Sequence, residues 1–296
     1  MINSLPPFSM RDDRPLEATE AEVLAAVHRA LTAAGCPYFL VGAMGRDLLL
    51  SHVFGLAVYR ATQDFDFGVA VESWDRFAAV KQAIVRGGFE THPRIAHRLV
   101  YKRDDNALPV PIDVIPFGGV ATPEGTLAWP PDADFIMTVA GFDEALAAAV
   151  HVHVGADLDI PVASLAGLAL LKLFAWRDRH ATNDKDAADL YRIMSSYADA
   201  GNTDRLYGGE LHFLEATGFD LPIAGARLLG HDTALLCAGP TRNKLDALLA
   251  DASAMERLSE QMAGRRGWED EAHQNTVSRL LYEFRSGCEG FFEPRR

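Results

Sequence analysis

The segment DFDFGVAV at residues 64–71 alternates large apolar side chains with polar or small ones. Successive side chains of a β-strand point to opposite faces, so this spacing predicts a strand whose phenylalanines and valines face a core. Asp64 and Asp66 then lie together on the other face. Two like charges at that distance repel each other unless a cation lies between them. The segment therefore predicts a metal site, and oxygen ligands of this kind favour Mg²⁺ or Mn²⁺ over zinc.

A turn of small residues precedes this strand. The run YFLV at residues 38–41 predicts a short buried strand, and a helix is expected to begin directly after it. Unpaired backbone N–H groups and the positive end of the helix dipole would then face an anion. Arg46 adds a cation, so the turn predicts a phosphate site. The alternative is a tight turn in which Arg46 and Asp47 form a solvated pair. The small residues of the turn are Gly42, Ala43 and Gly45.

A third carboxylate follows the pair, within VPIDVI at residues 110–115. Asp113 is expected on a neighbouring strand, where it would be a third metal ligand and could accept the proton of an attacking hydroxyl. An Asp-x-Asp pair alone is weak evidence, because acidic pairs are common on exposed strands. The turn before the pair and Asp113 after it favour a catalytic site.

The chain has 296 residues and 49% hydrophobic content, which is enough for a large core and for two domains. Helices and strands alternate up to about residue 160, and helical periodicity then dominates. We expect an α+β fold: a mixed sheet flanked by helices in residues 1–160, and a helical domain in residues 161–296 that completes the cleft. The C-terminal helices are predicted at residues 164–178, 184–198, 243–263 and 268–284.

The formal net charge of −13 argues against an extended basic surface for duplex nucleic acid. The densest basic stretch, residues 94–103, could contact an RNA acceptor or could protect an exposed hairpin edge. Three scattered cysteines fit a reducing compartment, and no run reaches membrane-spanning length. We therefore expect a cytoplasmic protein with no membrane partner.

Five motifs together resemble the DNA polymerase β-like nucleotidyltransferase superfamily, and the last four of them resemble its AbiEii/AbiGii nucleotidyltransferase family. The first motif also resembles the start of the tRNA CCA-adding enzymes, although the insert at residues 51–63 departs from them. The AbiEii/AbiGii family includes toxins of toxin–antitoxin pairs. The motifs are VGAMGRDLLL at 41–50, RATQDFD at 60–66, IDV at 112–114, LKLFAWR at 171–177 and KDAADL at 185–190.

The resemblance implies an NTP substrate, an Mg²⁺ or Mn²⁺ cofactor, an acceptor that is a tRNA or a protein, and a cognate antitoxin. It also implies that Lys172 binds the triphosphate and that Asp186 or Asp189 completes the site. The residues themselves leave two alternatives, because Lys172 could extend to solvent or enter a cleft, and the residues near Asp186 could form an exposed charged face. Ala43 stands where many members have Ser or Gly, so a hydroxyl contact to phosphate is missing.

Two other functions remain open at the level of sequence. One is a catalytically silent member of the fold that binds a nucleotide or a protein, which the loss of a hydroxyl at Ala43 favours. The other is an antibiotic-modifying nucleotidyltransferase, because an acidic surface suits a cationic aminoglycoside. Retention of Asp64, Asp66 and Asp113 favours the active transferase over the silent member.

Overall fold

The computed structural model of the chain describes residues 7–57, 64–102, 109–155 and 158–290. Residues 60–63 of the second motif and Arg103 of the basic stretch lie outside these ranges. The chain divides into two compact units, the first made of residues 1–122 and 146–164 and the second of residues 123–145 and 165–296. The division differs in one respect from a single boundary near residue 160, because the second unit also includes residues 123–145. The boundary near residue 160 therefore stays a prediction.

A mixed sheet forms the first unit. Among the described residues it has eight strands in the order β1-β9-β10-β2-β3-β6-β5-β4. Their ranges are β1 Phe8–Ser9, β2 Tyr38–Val41, β3 Phe65–Val71, β4 Phe89–Thr91, β5 Arg98–Tyr101, β6 Val110–Gly118, β9 Val150–His153 and β10 Asp159–Val162. A separate pair in the second unit consists of β7, Thr126–Ala128, and β8, Ile136–Thr138.

The central strands follow the predicted alternation. On β3 the side chains of Phe65, Phe67, Val69 and Val71 are buried, as the spacing of two residues requires. Strand β3 runs antiparallel to β2 and parallel to β6, so the strands that carry the small-residue turn, Asp66 and Asp113 are neighbours. The expected α+β class with a helical C-terminal region is thereby confirmed.

Helices of the first unit include α1 Ala18–Ala33, α2 Gly42–Asp47 and α3 Trp74–Arg86. Ser73 caps α3, because its side chain accepts a hydrogen bond from the backbone N–H of Arg76 at 3.2 Å. The insert at residues 51–63 begins in helical structure, because α2 continues into a π-helical segment, Leu48–Val53. A short helix, α4 Phe142–Ala147, lies where the two units meet in sequence.

Helices make up most of the second unit. One sequence expectation was wrong there, because the helix expected at 243–263 is two helices separated by Asp251. The sequence analysis made no prediction for the helices of residues 203–236. Asp251 accepts a hydrogen bond from the backbone N–H of Ala254 at 3.0 Å and so begins a new helix. The helices are α5 Leu165–Arg179, α6 Lys185–Ser196, α7 Thr203–Tyr207, α8 Leu211–Ala216, α9 Leu221–Leu236, α10 Gly239–Ala250, α11 Ala252–Glu269 and α12 Glu271–Glu289.

Candidate functional site

Gly42 brings the turn after β2 against the aspartate strand. Its φ is +68°, a left-handed conformation that side chains other than glycine's rarely adopt. A Cβ at this position would lie 2.0 Å from Oδ2 of Asp66, closer than any real contact. Glycine therefore permits both the bend of the chain and the approach of a carboxylate. The backbone at the start of α2 therefore lies directly against the carboxylate of Asp66.

The carboxylates are ordered by strand register. Asp66 lies opposite Val41 on one side and opposite Asp113 on the other. Asp64 is exposed and directly precedes β3. The sheet therefore brings the turn, Asp66 and Asp113 together, as the sequence predicted, through three neighbouring strand positions.

Asp113 is held by an arginine on the next strand. Arg98 lies opposite Asp113 in the β5–β6 pair and donates from Nε to Oδ1 at 2.7 Å and from Nη2 to Oδ2 at 2.7 Å. Two parallel N–H···O bonds make this one of the stronger ion-pair geometries. Nε2 of His97 lies 3.8 Å from Oδ2 of Asp113. The third carboxylate is thus engaged by a basic group at both oxygens.

The electrostatics of the two basic residues differ. The hydrogen bonds to Asp113 raise the pKa of Arg98 above its usual value, and the charges of Asp64 and Asp66 act in the same direction. Burial lowers the pKa of His97, and the nearby charge of Asp113 opposes that effect only in part. Of the two basic residues, Arg98 is consequently the one that carries a positive charge beside these carboxylates at neutral pH.

Arg46 does not extend from the turn into solvent. It is only 6% exposed, and its Nε and Nη2 atoms donate to Oδ1 of Asp47 at 2.8 and 2.7 Å. The pair predicted as a solvated alternative is therefore formed but buried. A role for Arg46 with phosphate stays a prediction that requires this pair to open.

The fit of a divalent cation depends on the donors and on their arrangement. Three aspartates supply the oxygen ligands that Mg²⁺ and Mn²⁺ prefer. Within the described ranges, however, no three side chains of His, Cys, Asp or Glu are grouped so that they could hold a metal ion. Both oxygens of Asp113 accept from Arg98 instead. The donor chemistry fits the cation, and Arg98 engages one of the donors.

A second cluster of charges lies in the helical unit. The amine of Lys172 on α5 lies 3.0 Å from Oδ1 of Asp186 and 2.6 Å from Oδ2 of Asp189, both on α6. The side chain of Lys172 is 11% exposed and that of Asp186 is 1% exposed. Arg179 adds bonds to Asp186, from Nε to Oδ2 at 2.5 Å and from Nη2 to Oδ1 at 2.9 Å. These contacts exclude a solvent-extended Lys172 and an exposed Asp186.

The protonation states follow from these contacts. Burial disfavours the charged amine of Lys172, but the adjacent Asp189 and Asp186 outweigh it and raise the pKa above its usual value. Burial also disfavours the carboxylate of Asp186, yet hydrogen bonds from Arg179 and the charge of Lys172 lower its pKa. The cluster is therefore a buried ion-pair network at neutral pH.

Sequence reasoning gave too little weight to two arginines. Arg98 was considered only within the basic stretch, and Arg179 was not singled out. Arg98 lies on the strand that precedes β6, but the register that sets it opposite Asp113 could not be read from the sequence. For Arg179 the signal was weaker, because its contact with Asp186 depends on how α5 and α6 pack.

Solved structures similar to this chain are nucleotidyltransferases of low sequence identity. The antibiotic-resistance factor ANT(2'')-Ia has 12% identity and a TM-score of 0.38 over 69% of this chain and 98% of that one. An antigenic nucleotidyltransferase-like protein from Paracoccidioides brasiliensis has 15% identity and a TM-score of 0.41 over 68% and 93%. An apo form of a CCA-adding enzyme has 14% identity and a TM-score of 0.32 over 95% and 74%.

A search of curated proteins gave no significant match. The sequence model of one family, described as the nucleotidyl transferase AbiEii toxin of type IV toxin–antitoxin systems, matches residues 37–271. The matched range includes the small-residue turn, the three aspartates, Lys172 and Asp186. Because the match extends over most of the chain and over both compact units, this protein belongs to the AbiEii family of nucleotidyltransferases.

Proposed function

We propose that this protein is a cytoplasmic nucleotidyltransferase that depends on Mg²⁺ or Mn²⁺ and moves a nucleoside monophosphate from an NTP to an acceptor hydroxyl. The observation that carries the proposal is the register of β2, β3 and β6. It sets Asp66 beside Asp113 and against the turn at Gly42. Carboxylates that can hold divalent cations next to backbone N–H groups that can bind phosphate are the arrangement that this transfer requires.

The three aspartates have separate roles in the proposal. Asp64, Asp66 and Asp113 would hold the divalent cations, which neutralise the triphosphate and activate the attacking oxygen when bound. Asp113 would also accept the proton of the acceptor hydroxyl, because its strand β6 is separated from the turn after β2 by β3, which leaves Asp66 nearer to the phosphates. The backbone N–H groups at residues 42–45 would bind phosphate oxygens.

The charged cluster of the helical unit has a matching role. We retain Lys172 as a phosphate-binding residue, in which case the triphosphate competes with Asp186 and Asp189 for the amine. Asp186 would position Lys172 and would itself be positioned by Arg179. The proposal therefore requires the amine of Lys172 to exchange a carboxylate partner for a phosphate oxygen.

The partners belong to the proposal as well. The family description names a toxin of a type IV toxin–antitoxin system, so a cognate antitoxin is expected in the same cell. The acceptor would be the hydroxyl of a tRNA or of a protein. Binding of RNA would have to be local, because the chain carries a net charge of −13.

A panel of labelled nucleotides tests the function. Wild-type protein, Asp66→Asn and Glu72→Gln are each incubated with one of the four NTPs labelled at the α-phosphate, with Mn²⁺ and with total tRNA or total protein. Glu72 is the matched control, since it is an exposed acid just beyond the end of β3. We expect label transfer by wild type and Glu72→Gln, and a loss on the order of a thousandfold in Asp66→Asn. Equal transfer by all three proteins would refute the role of Asp66.

A catalytically silent nucleotide-binding protein is the second candidate. The contact of Arg98 with both oxygens of Asp113 favours it, because an arginine held there permanently would keep a ligand from the metal. In that case the wild type binds an NTP by calorimetry but transfers no label to any acceptor in the panel.

A further inference from the structure

Arg98 and Asp113 form a pair whose position is set by the sheet. The two residues are directly opposite each other in the antiparallel β5–β6 ladder, and their neighbours Leu99 and Ile112 are fully buried. The side chain of Arg98 is 27% exposed and that of Asp113 is 13% exposed. The guanidinium is therefore more exposed than the carboxylate that it holds, and the strands beneath the pair are anchored by buried side chains.

The guanidinium and a divalent cation need the same atoms. In the proposed function the oxygens of Asp113 are metal ligands, and both accept hydrogen bonds from Arg98 at 2.7 Å. Two positive groups bound to one carboxylate repel each other strongly at such distances. The electrostatic influence of Asp64 and Asp66 on Arg98 indicates that the guanidinium lies within the field of all three carboxylates. Occupation by one cation therefore opposes occupation by the other.

We propose that Arg98 is a displaceable counter-ion, which holds Asp113 in the resting protein and must leave it before a divalent cation can bind there. The inference rests on the proposed function, because it takes Asp113 as a metal ligand. A partly exposed guanidinium with two strong bonds can rotate into solvent without disturbing the buried face of β5.

Mn²⁺ binding to the full-length chain, measured by electron paramagnetic resonance without nucleotide, tests this competition. Arg98→Gln removes the charge and the fork of donors, and we expect it to bind Mn²⁺ about tenfold more tightly than the wild type. Arg94→Gln is the control, since Arg94 is an exposed arginine in the loop that precedes β5 and its loss changes the net charge equally. Arg94→Gln should leave the affinity unchanged.

A double variant assigns the gain to the correct carboxylate. In the background of Asp113→Asn, the substitution Arg98→Gln should give no increase in Mn²⁺ affinity, because the contested ligand is already absent. If the increase persists in that background, the guanidinium acts through long-range charge and the inference is wrong. Should Arg98→Gln fold poorly by circular dichroism, Arg98→Lys replaces it, with a smaller increase expected because the ammonium lacks the fork.

The outcomes separate this inference from the function on which it rests. If Asp66→Asn loses Mn²⁺ binding while a well-folded Arg98→Gln binds as weakly as the wild type, or more weakly, the metal site stands and the displaceable counter-ion is refuted. If neither the wild type nor Arg98→Gln binds Mn²⁺, the metal dependence of the proposed function is refuted together with it.

Discussion

Alanine substitutions at Gly42 and Gly35 distinguish the effect of backbone strain from the effect of a displaced Asp66 carboxylate. The substitution Gly42→Ala puts a Cβ where Oδ2 of Asp66 lies and forces φ of +68° on an L-residue. We expect a loss of about 1 kcal/mol in the free energy of unfolding and a weaker affinity for Mn²⁺, because Asp66 must rotate away. Gly35→Ala is the matched control: its φ is +60° and its Cβ would meet nothing within 4 Å.

Both glycine variants are measured by chemical denaturation and by Mn²⁺ titration. Gly35→Ala should show a similar loss of stability without a change in Mn²⁺ affinity. If the two variants bind Mn²⁺ equally well, the contact between the turn and Asp66 has no bearing on the metal site.

Lys172 is expected to contribute to stability as well as to binding. The substitution Lys172→Met keeps most of the apolar stem but leaves Asp186 and Asp189 without the amine, at a cost of about 3 kcal/mol in the free energy of unfolding near neutral pH. The pKa of Asp186 is lowered in the folded wild type, so its stabilising effect is present at neutral pH and is lost as the pH falls. The deficit of the variant should therefore shrink below a pH of about 4.

Denaturation curves of wild type and Lys172→Met at several pH values measure this deficit. The double variant Lys172→Met/Asp189→Asn should recover part of the stability, because one unpaired carboxylate is removed. A deficit that stays constant from neutral to acidic pH would show that packing, and not charge, accounts for the loss. NTP affinity, measured by calorimetry for the same proteins, tests the separate role with phosphate.

At the scale of single residues, the sequence identified the acids but not their partners. The alternation in DFDFGVAV was enough to predict strand β3 and its buried phenylalanines and valines, because strand geometry fixes that face, whereas Asp64 lies just before the strand. The same reasoning could not show that Asp113 is paired with Arg98 or that Arg46 is buried against Asp47. Those pairs depend on strand register and side-chain packing, which hydropathy does not report.

Helices α9 and α12 pack so closely that their backbones touch at two glycines. A Cβ on Gly230 would lie 1.9 Å from the carbonyl oxygen of Phe284, and one on Gly287 would lie 1.9 Å from that of Arg227. Each glycine therefore admits the backbone of the other helix. We expect Gly287→Ala to lower the free energy of unfolding by about 3 kcal/mol, because backbone atoms cannot rotate away as a side chain does.

Thermal and chemical denaturation measure the effect of Gly287→Ala. Gly290→Ala, just after α12, is its control: a Cβ there meets nothing within 4 Å, and the residue has a helical conformation. The control should be as stable as the wild type or slightly more stable, because alanine restricts the unfolded chain. Equal stability of the two variants would contradict the close approach of α9 and α12.

At the scale of elements, helices with one apolar face were predictable and α9 was not. Its sequence, LPIAGARLLGHDTALL, is apolar around most of its circumference, and the structure buries residues on several of its sides. A helix of that kind has no clear periodicity to detect. The break at Asp251 was missed for the opposite reason, because apolar spacing continues across it while a single capping side chain ends one helix and begins the next.

At the scale of the whole chain, length and composition predicted a large core, the order of helical and strand patterns predicted the α+β class, and the family match over residues 37–271 agrees with the resemblance of the motifs. None of the helices in the described part of the chain combines the length and the apolarity needed to cross a bilayer. Composition carried no information on the nucleotide or the acceptor. Those are selected by a few side chains, which contribute little to net charge or hydropathy.

The position of the transferred label tests nucleotidyl transfer itself. Wild-type protein is incubated with Mn²⁺, the acceptor fraction and one NTP, labelled in parallel samples at the α-phosphate or at the γ-phosphate. If a nucleoside monophosphate is transferred, label from the α-phosphate enters the acceptor, and label from the γ-phosphate leaves as pyrophosphate. Label from the γ-phosphate in the acceptor would show phosphoryl transfer instead, and would contradict the function proposed for Asp64, Asp66 and Asp113.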